Sequence, residues 1–167
     1  TQKIADAFNV ELPERFEADY RNALLHEFDT ALMPTNGIKE VLANLATPSC
    51  IATSSSPART EKALSVVKLS HYFDEVFTSS EVKNGKPAPD LFLHAAKKMG
   101  VSPAHCLVIE DSIAGVSAAL AANMQVLHYS GGGHMQGAVN FVHKAYPEVA
   151  HLTDWKAFYE MYPTLKI

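Results

Sequence analysis

The sequence predicts an α/β fold: a parallel sheet covered by helices on both faces, with a separate helical piece ahead of it. Three observations predict it. Short apolar runs alternate with helical patterns from residue 50 onward. Polar residues cluster where those runs end. Residues 1–32 stand outside the alternation. Strands that alternate with helices imply parallel pairing through right-handed crossovers. In such sheets the chemistry sits beyond the carboxyl ends of the strands.

The elements follow in chain order. Residues 2–10 suggest a short helix. A second helix starts near Pro13, a good first helical residue, and runs towards Leu32, where Pro34 stops it. Phe16, Tyr20, Ala23, Leu24 and Phe28 recur on one face of it. The next helix follows Thr35-Asn36-Gly37 and carries Ile38, Val41, Leu42 and Leu45. Cys50 to Thr53 reads as a buried strand ending in Ser54-Ser55-Ser56-Pro57, and Ala58 to Leu69 as a helix. Val76 to Thr78 is the second strand, followed by Ser79-Ser80. A helix spans Pro89 to Met99 and is stopped by Gly100. Cys106 to Ile109 is the clearest strand and runs into Glu110-Asp111. Ile113 to Asn123 is an Ala-rich helix, and Met124 to His128 the fourth strand, before Gly131-Gly132-Gly133. A helix over 135–145, a short strand over 148–151 and a helix from Asp154 to Tyr162 complete the pattern.

Composition narrows the function classes. The chain has 167 residues, 47% hydrophobic and 19% charged, which is ordinary globular usage. A formal charge of −4 supplies no basic field for nucleic acid or an anionic membrane. No apolar stretch approaches ~20 residues. Two cysteines are too few for a disulfide framework, and a cytoplasmic compartment is the simplest reading. The acidic start, without an apolar block, does not read as a leader.

Four groups could carry chemistry. Glu110 and Asp111 close a strand, and hard cations such as Mg²⁺ take carboxylate oxygen. An acidic turn ahead of a helix N-terminus would place the same residues there. Lys86 is pinned in Asn84-Gly85-Lys86-Pro87-Ala88-Pro89-Asp90, where it suits a phosphate charge as well as a solvated loop. Ser54, Ser55 and Ser56 offer hydroxyls and N–H groups ahead of a helix, which suits an anion or simple capping. Arg59 lies one turn into that helix and could meet an anionic substrate or solvent. The loop Gly131 to His134 is neither G-x-G-x-x-G nor a P-loop. The eight histidines form no H-x-x-x-H pair.

Taken in order, these groups resemble a known family. Leu107 to Val116, with Glu110-Asp111-Ser112 at its centre, resembles the fourth motif of the haloacid dehalogenase superfamily. Gly85 to Asp90 looks like its third motif, and Ile51 to Ser54 like its second. The resemblance is greatest to the β-phosphoglucomutase-like phosphatases with a helical cap. It implies a three-layer Rossmann-like core over 33–167, and part of an α-helical cap over 1–32. It implies phosphoryl transfer through an aspartyl-phosphate, on a small phosphomonoester such as a sugar phosphate. Ser54 and Lys86 would act on the transferring group. Ser55, Ser56 and Arg59 would contact the substrate, and Asp111 would ligate Mg²⁺ with Glu110 ligating directly or through water. A monomer or weak dimer in the cytoplasm, without nucleic-acid or membrane partners, is expected.

Two departures qualify the match. Asn123 stands where the family's helix usually ends in Gly, and Asn is the next choice for a left-handed cap. The first motif, an apolar strand ending in D-x-D, is absent from these 167 residues. That motif holds the nucleophile, on a strand that in the family lies between the one ending at Ser54 and the one ending at Asp111. Together with the start at Thr1, this leads us to expect a preceding segment that carries the strand, without which the chain should be poorly stable. A phosphoglucomutase-type transfer and an inactive fragment or phosphate-binding module are the alternatives. A flavodoxin-like or receiver-like domain shares the sheet but does not explain the spacing from Lys86 to Glu110-Asp111.

Overall fold

A computed structural model describes residues 2–133 and 139–167. Two helices come first, α1 (Gln2–Phe8) and α2 (Phe16–Ala31), then α3 (Ile38–Ala43). The alternating part is β1 (Cys50–Thr53), α4 (Pro57–Val66), β2 (Glu75–Thr78), α5 (Asp90–Met99), β3 (Leu107–Glu110), α6 (Ile113–Ala121) and β4 (Gln125–Tyr129). It closes with α7 (Val139–Ala145), β5 (Ala150–Leu152) and α8 (Phe158–Met161). The fold is mixed α/β with parallel sheets, as the alternation predicts.

The strands form two sheets. β1 pairs with β2 in parallel, with Ala52 opposite Phe77. β3, β4 and β5 form the other sheet, also parallel, with β4 in the middle. Among the described residues no strand joins β1 to β3.

Helices cover β4 on both sides. Side chains alternate along a strand, so Val126 joins one core and Leu127 and Tyr129 the other. The first core packs Phe92 of α5 and Val116 and Ala119 of α6 with Val142 of α7. The second packs Val41 of α3 with Leu152, Trp155 and Phe158. Under β1 and β2 a smaller cluster holds Phe77, Leu91 and Ala95. Residues 2–32 touch the rest mainly where α2 lies on α4. There Phe28 is buried, the Arg59 guanidinium sits 5.9 Å from its ring centre, and Lys62 pairs with Asp29.

Several boundaries differ from the sequence reading. α2 begins at Phe16 because the N–H of Phe16 donates to Pro13 O in a turn, at 2.9 Å. β3 runs one residue further, because Glu110 pairs in register with His128. The expected helix from Asp154 is a 3-10 turn over Trp155–Ala157 followed by α8, since the Asp154 carboxylate accepts from Lys156 N at 3.0 Å. The first part of the 135–145 helix, and His134, lie outside the described residues. Asn123 has φ 56°, the left-handed conformation expected of it.

The chain's last residues close onto α3. Leu45 and Lys166 form an antiparallel bridge. Ala46 N donates to Leu165 O, and Ile167 N to Asn44 O, each at 2.9 Å. Among the described residues no helix is long and apolar enough to cross a membrane.

Candidate active site

Polar side chains gather where the strands end. Beyond β1, the N–H of Ser55 donates to Thr53 Oγ1 at 3.1 Å, a local side-chain turn. Ser56 is the N-cap of α4, with Pro57 at the first helical position, and its hydroxyl makes no capping bond. Ser79 Oγ donates to Ser54 O at 3.4 Å, linking the ends of β1 and β2. Glu81 is anchored by Thr78 N–H at 2.6 Å. That bond, with help from His94, holds its carboxyl below the usual value.

Lys86 is the pivot. Its loop leads straight into α5, and the Lys86–Pro87 peptide is cis. The Nζ donates to Ala52 O of β1 at 2.9 Å and pairs with Glu110 of β3. Phe92 lies under it, with the ring centre 4.5 Å away. The Lys86 and Glu110 side chains are only 9% and 10% exposed. A single ammonium thus spans the facing edges of the two sheets. A buried pair of this kind matters most when broken, because the survivor is left as an uncompensated charge.

Glu110 points inward, and both its oxygens are engaged. Lys86 takes Oε1. Ser112 Oγ donates to Oε2 at 3.0 Å, and the N–H of Asp111 does so at 3.2 Å. Ser112 Oγ in turn accepts from Gly115 N at 3.0 Å, capping α6. Gly115 leaves no room for a side chain. A Cβ on it would lie 2.0 Å from the Glu110 carboxyl carbon. Asp111 therefore follows a carboxylate already held by protein donors, at the head of a capped helix.

Among the described residues no group of three or more His, Cys, Asp or Glu is arranged to hold a metal. Asp111 would supply one carboxylate to Mg²⁺, which usually keeps several waters and takes one or two carboxylates.

The structure brings Lys86 and Glu110 together, with Asp111 next in sequence. Ser54 is tied to the end of β2, and Arg59 stands on the α2–α4 seam beside Phe28. Sequence reasoning gave no role to Ser112, Gly115 or His128. Ser112 had a signal, a hydroxyl just before an Ala-rich helix. His128 had none, being one histidine in an apolar run.

Residues 2–123 match the family of haloacid dehalogenase-like hydrolases. The chain belongs to this family. Within it, the chain groups with the β-phosphoglucomutase-like phosphatases. It is similar to 6-phosphogluconate phosphatase of Escherichia coli, with 27% identity over 140 residues, 83% of this chain and 63% of that protein. It is similar to β-phosphoglucomutase of Bacillus subtilis, with 34% identity over 137 residues, 81% and 60% of the two chains. The chain therefore spans a little under two thirds of these relatives. A haloacid dehalogenase-like protein of unknown function from Agrobacterium tumefaciens superposes with a TM-score of 0.83 at 26% identity, over 98% of this chain and 75% of that one. A family hydrolase from Deinococcus radiodurans, solved with bound phosphate and sodium, gives 0.75 at 27% identity, over 97% and 72%. The chain is thus a haloacid dehalogenase-like hydrolase in which Lys86 pairs with Glu110, the residue before Asp111.

Proposed function

We propose that this chain is the greater part of a Mg²⁺-dependent phosphatase of small phosphomonoesters, sugar phosphates in particular. The observation that carries the reading is Lys86, held between Ala52 O and Glu110 beside Asp111. A fixed ammonium at that point is preorganised for the charge that develops on a transferring phosphoryl group. Ser54 hydrogen-bonds that group. The hydroxyls of Ser55 and Ser56 serve its oxygens, since the Ser55 N–H is already given to Thr53. Arg59 meets the rest of the anionic substrate at the seam with α2. Asp111 is the metal ligand, and Glu110, with its oxygens taken, acts through water. Mg²⁺ would supply charge neutralisation at the phosphoryl oxygens. The nucleophilic aspartate comes from a segment outside these 167 residues, on a strand lying between β1 and β3. Residues 1–32 are part of the cap, and 33–167 the core.

Hydrolysis of p-nitrophenyl phosphate, fructose 1-phosphate and 6-phosphogluconate, with and without Mg²⁺, tests this. The 167-residue chain alone should be silent, and a longer chain bearing D-x-D active. In the active protein, Asp111→Asn and Lys86→Ala should each lower turnover by about 100-fold or more. Turnover by the 167-residue chain alone would overturn the mechanism. The identity to β-phosphoglucomutase over 81% of this chain supports phosphoryl return to the sugar as the second reading. Formation of the isomeric sugar phosphate rather than inorganic phosphate would favour it.

A further inference from the structure

Phe92 is buried in the first turn of α5. That helix serves two cores. Leu91 and Ala95 pack under β1 and β2 with Phe77, while Phe92 and Ala96 join Val108 of β3 and Val116 of α6. Ala52 of β1 packs against both clusters. The helix therefore reaches both sheets, and Phe92 is the residue that carries a ring to Lys86.

The loop before α5 keeps that ring and the lysine together. Ala88 N donates to Gly85 O at 3.0 Å, and Asn84 Nδ2 to Asp90 Oδ1 at 2.9 Å. The loop is thus closed on itself, and Lys86 Nζ stands over the Phe92 ring, 4.5 Å from its centre. An ammonium has three N–H groups. Ala52 O and Glu110 take two of them. The face of an aromatic ring is negative, and it attracts a cation without offering a lone pair. It steadies Nζ and leaves the third N–H for an oxygen of the substrate. Leucine or methionine would fill the same space and give that side of the ammonium nothing. Lys86 is too buried for water to make up the difference.

We propose that Phe92 is a positioning residue: its ring face fixes the Lys86 ammonium between the two sheets, where it meets a transferring phosphoryl group. The inference rests on the reading of Lys86 as the cation that meets that group.

Two measurements test it. In proton spectra of the purified protein, the Lys86 Hε signals should lie upfield of those of the other lysines, shifted by the ring current. Hε signals at the ordinary lysine position overturn the contact and the proposal with it. The second measurement is calorimetric titration with inorganic phosphate, with Mg²⁺ present, in a series where the Phe92 ring carries one, two and three fluorine atoms. Fluorine draws electron density from the ring face and leaves its size almost unchanged, so a ring that only fills space is indifferent to it. Phosphate affinity should fall with each fluorine, by about tenfold over the series. A flat series, while Lys86→Met binds phosphate poorly, overturns the role of Phe92. If the parent binds no phosphate, or Lys86→Met binds it as well as the parent, the reading of Lys86 itself fails and this inference with it.

Discussion

The two sheets differ in how their strands are finished. β4 has a partner on each side and is buried without a break from Val126 to Ser130. β1 has one partner, and each of its residues is only half-buried, although Cys50-Ile51-Ala52-Thr53 is no less apolar. β3 sits between these cases: Val108 is buried and Ile109 is 38% exposed. Composition therefore does not decide how deep a strand lies; its neighbours do. The less buried edges of β1 and β3 face each other, and Lys86 stands between them. The well-packed sheet supplies rigidity, and the proposed site lies at the open edges.

The sharpest way to break this contrast is in the packing. Leu127 in β4 is fully buried, so Leu127→Ala should cost about 3 kcal/mol in urea unfolding. Ile51→Ala in β1 should cost about 1 kcal/mol, because its site is already partly wet. Equal losses would show that the two sheets are packed alike.

The next effect falls between the sheets. Lys86→Ala leaves Glu110 buried without its cation and should cost about 2–3 kcal/mol. Lys86→Met combined with Glu110→Gln should recover most of that. A double variant as unstable as the single would mean that the lysine stem, not the charge, joins the two edges.

Gly115→Ala should cost about 2 kcal/mol by overpacking, since the new methyl meets the Glu110 carboxylate. It should also lower Mn²⁺ affinity, while Gly100→Ala, where a Cβ has open space but φ is 69°, should affect stability alone. Loss of stability in Gly115→Ala with unchanged metal binding would separate the α6 cap from the site.

The smallest effect is with pH. Burial is the main cause that holds His128 and His151 below the ordinary histidine value of 6.5. The unfolded chain then binds protons first as pH falls. Stability is full above about pH 6.5, declines below it, and levels off once the folded rings protonate. Urea midpoints between pH 8 and 4.5 would record the decline, and His151→Phe should flatten part of it. A slope unchanged in that variant would assign the decline to other groups.

Much of this architecture was legible. β1 was read at Cys50 to Thr53, because an apolar run ending in three serines leaves few alternatives. Gly100 stops α5 in the left-handed conformation, as its place after Lys97-Lys98-Met99 predicts. Lys86, Glu110 and Asp111 were legible as residue types, and the structure adds that Lys86 and Glu110 meet. What was hidden depends on distance along the chain. Lys86 and Ala52 are 34 residues apart, and no local pattern announces that bond. Nor does any pattern show Glu110 turned inward or in register with His128, because register between strands is set by the whole sheet. Arg59 has its helix position written in sequence, while its neighbour Phe28 comes from the docking of α2.

The clasp between the chain's end and the residues after α3 has a mechanical meaning. Its two backbone bonds run antiparallel, from Ile167 to Asn44 and from Ala46 to Leu165. Tension on Ile167 loads the outer bond first and the inner one only after it yields, so the tail peels rather than shears. A protein tethered through Ile167 should give a small, low-force step before the body of the fold bears load. A force–extension trace with a single rupture would show instead that the clasp and the sheet give way together.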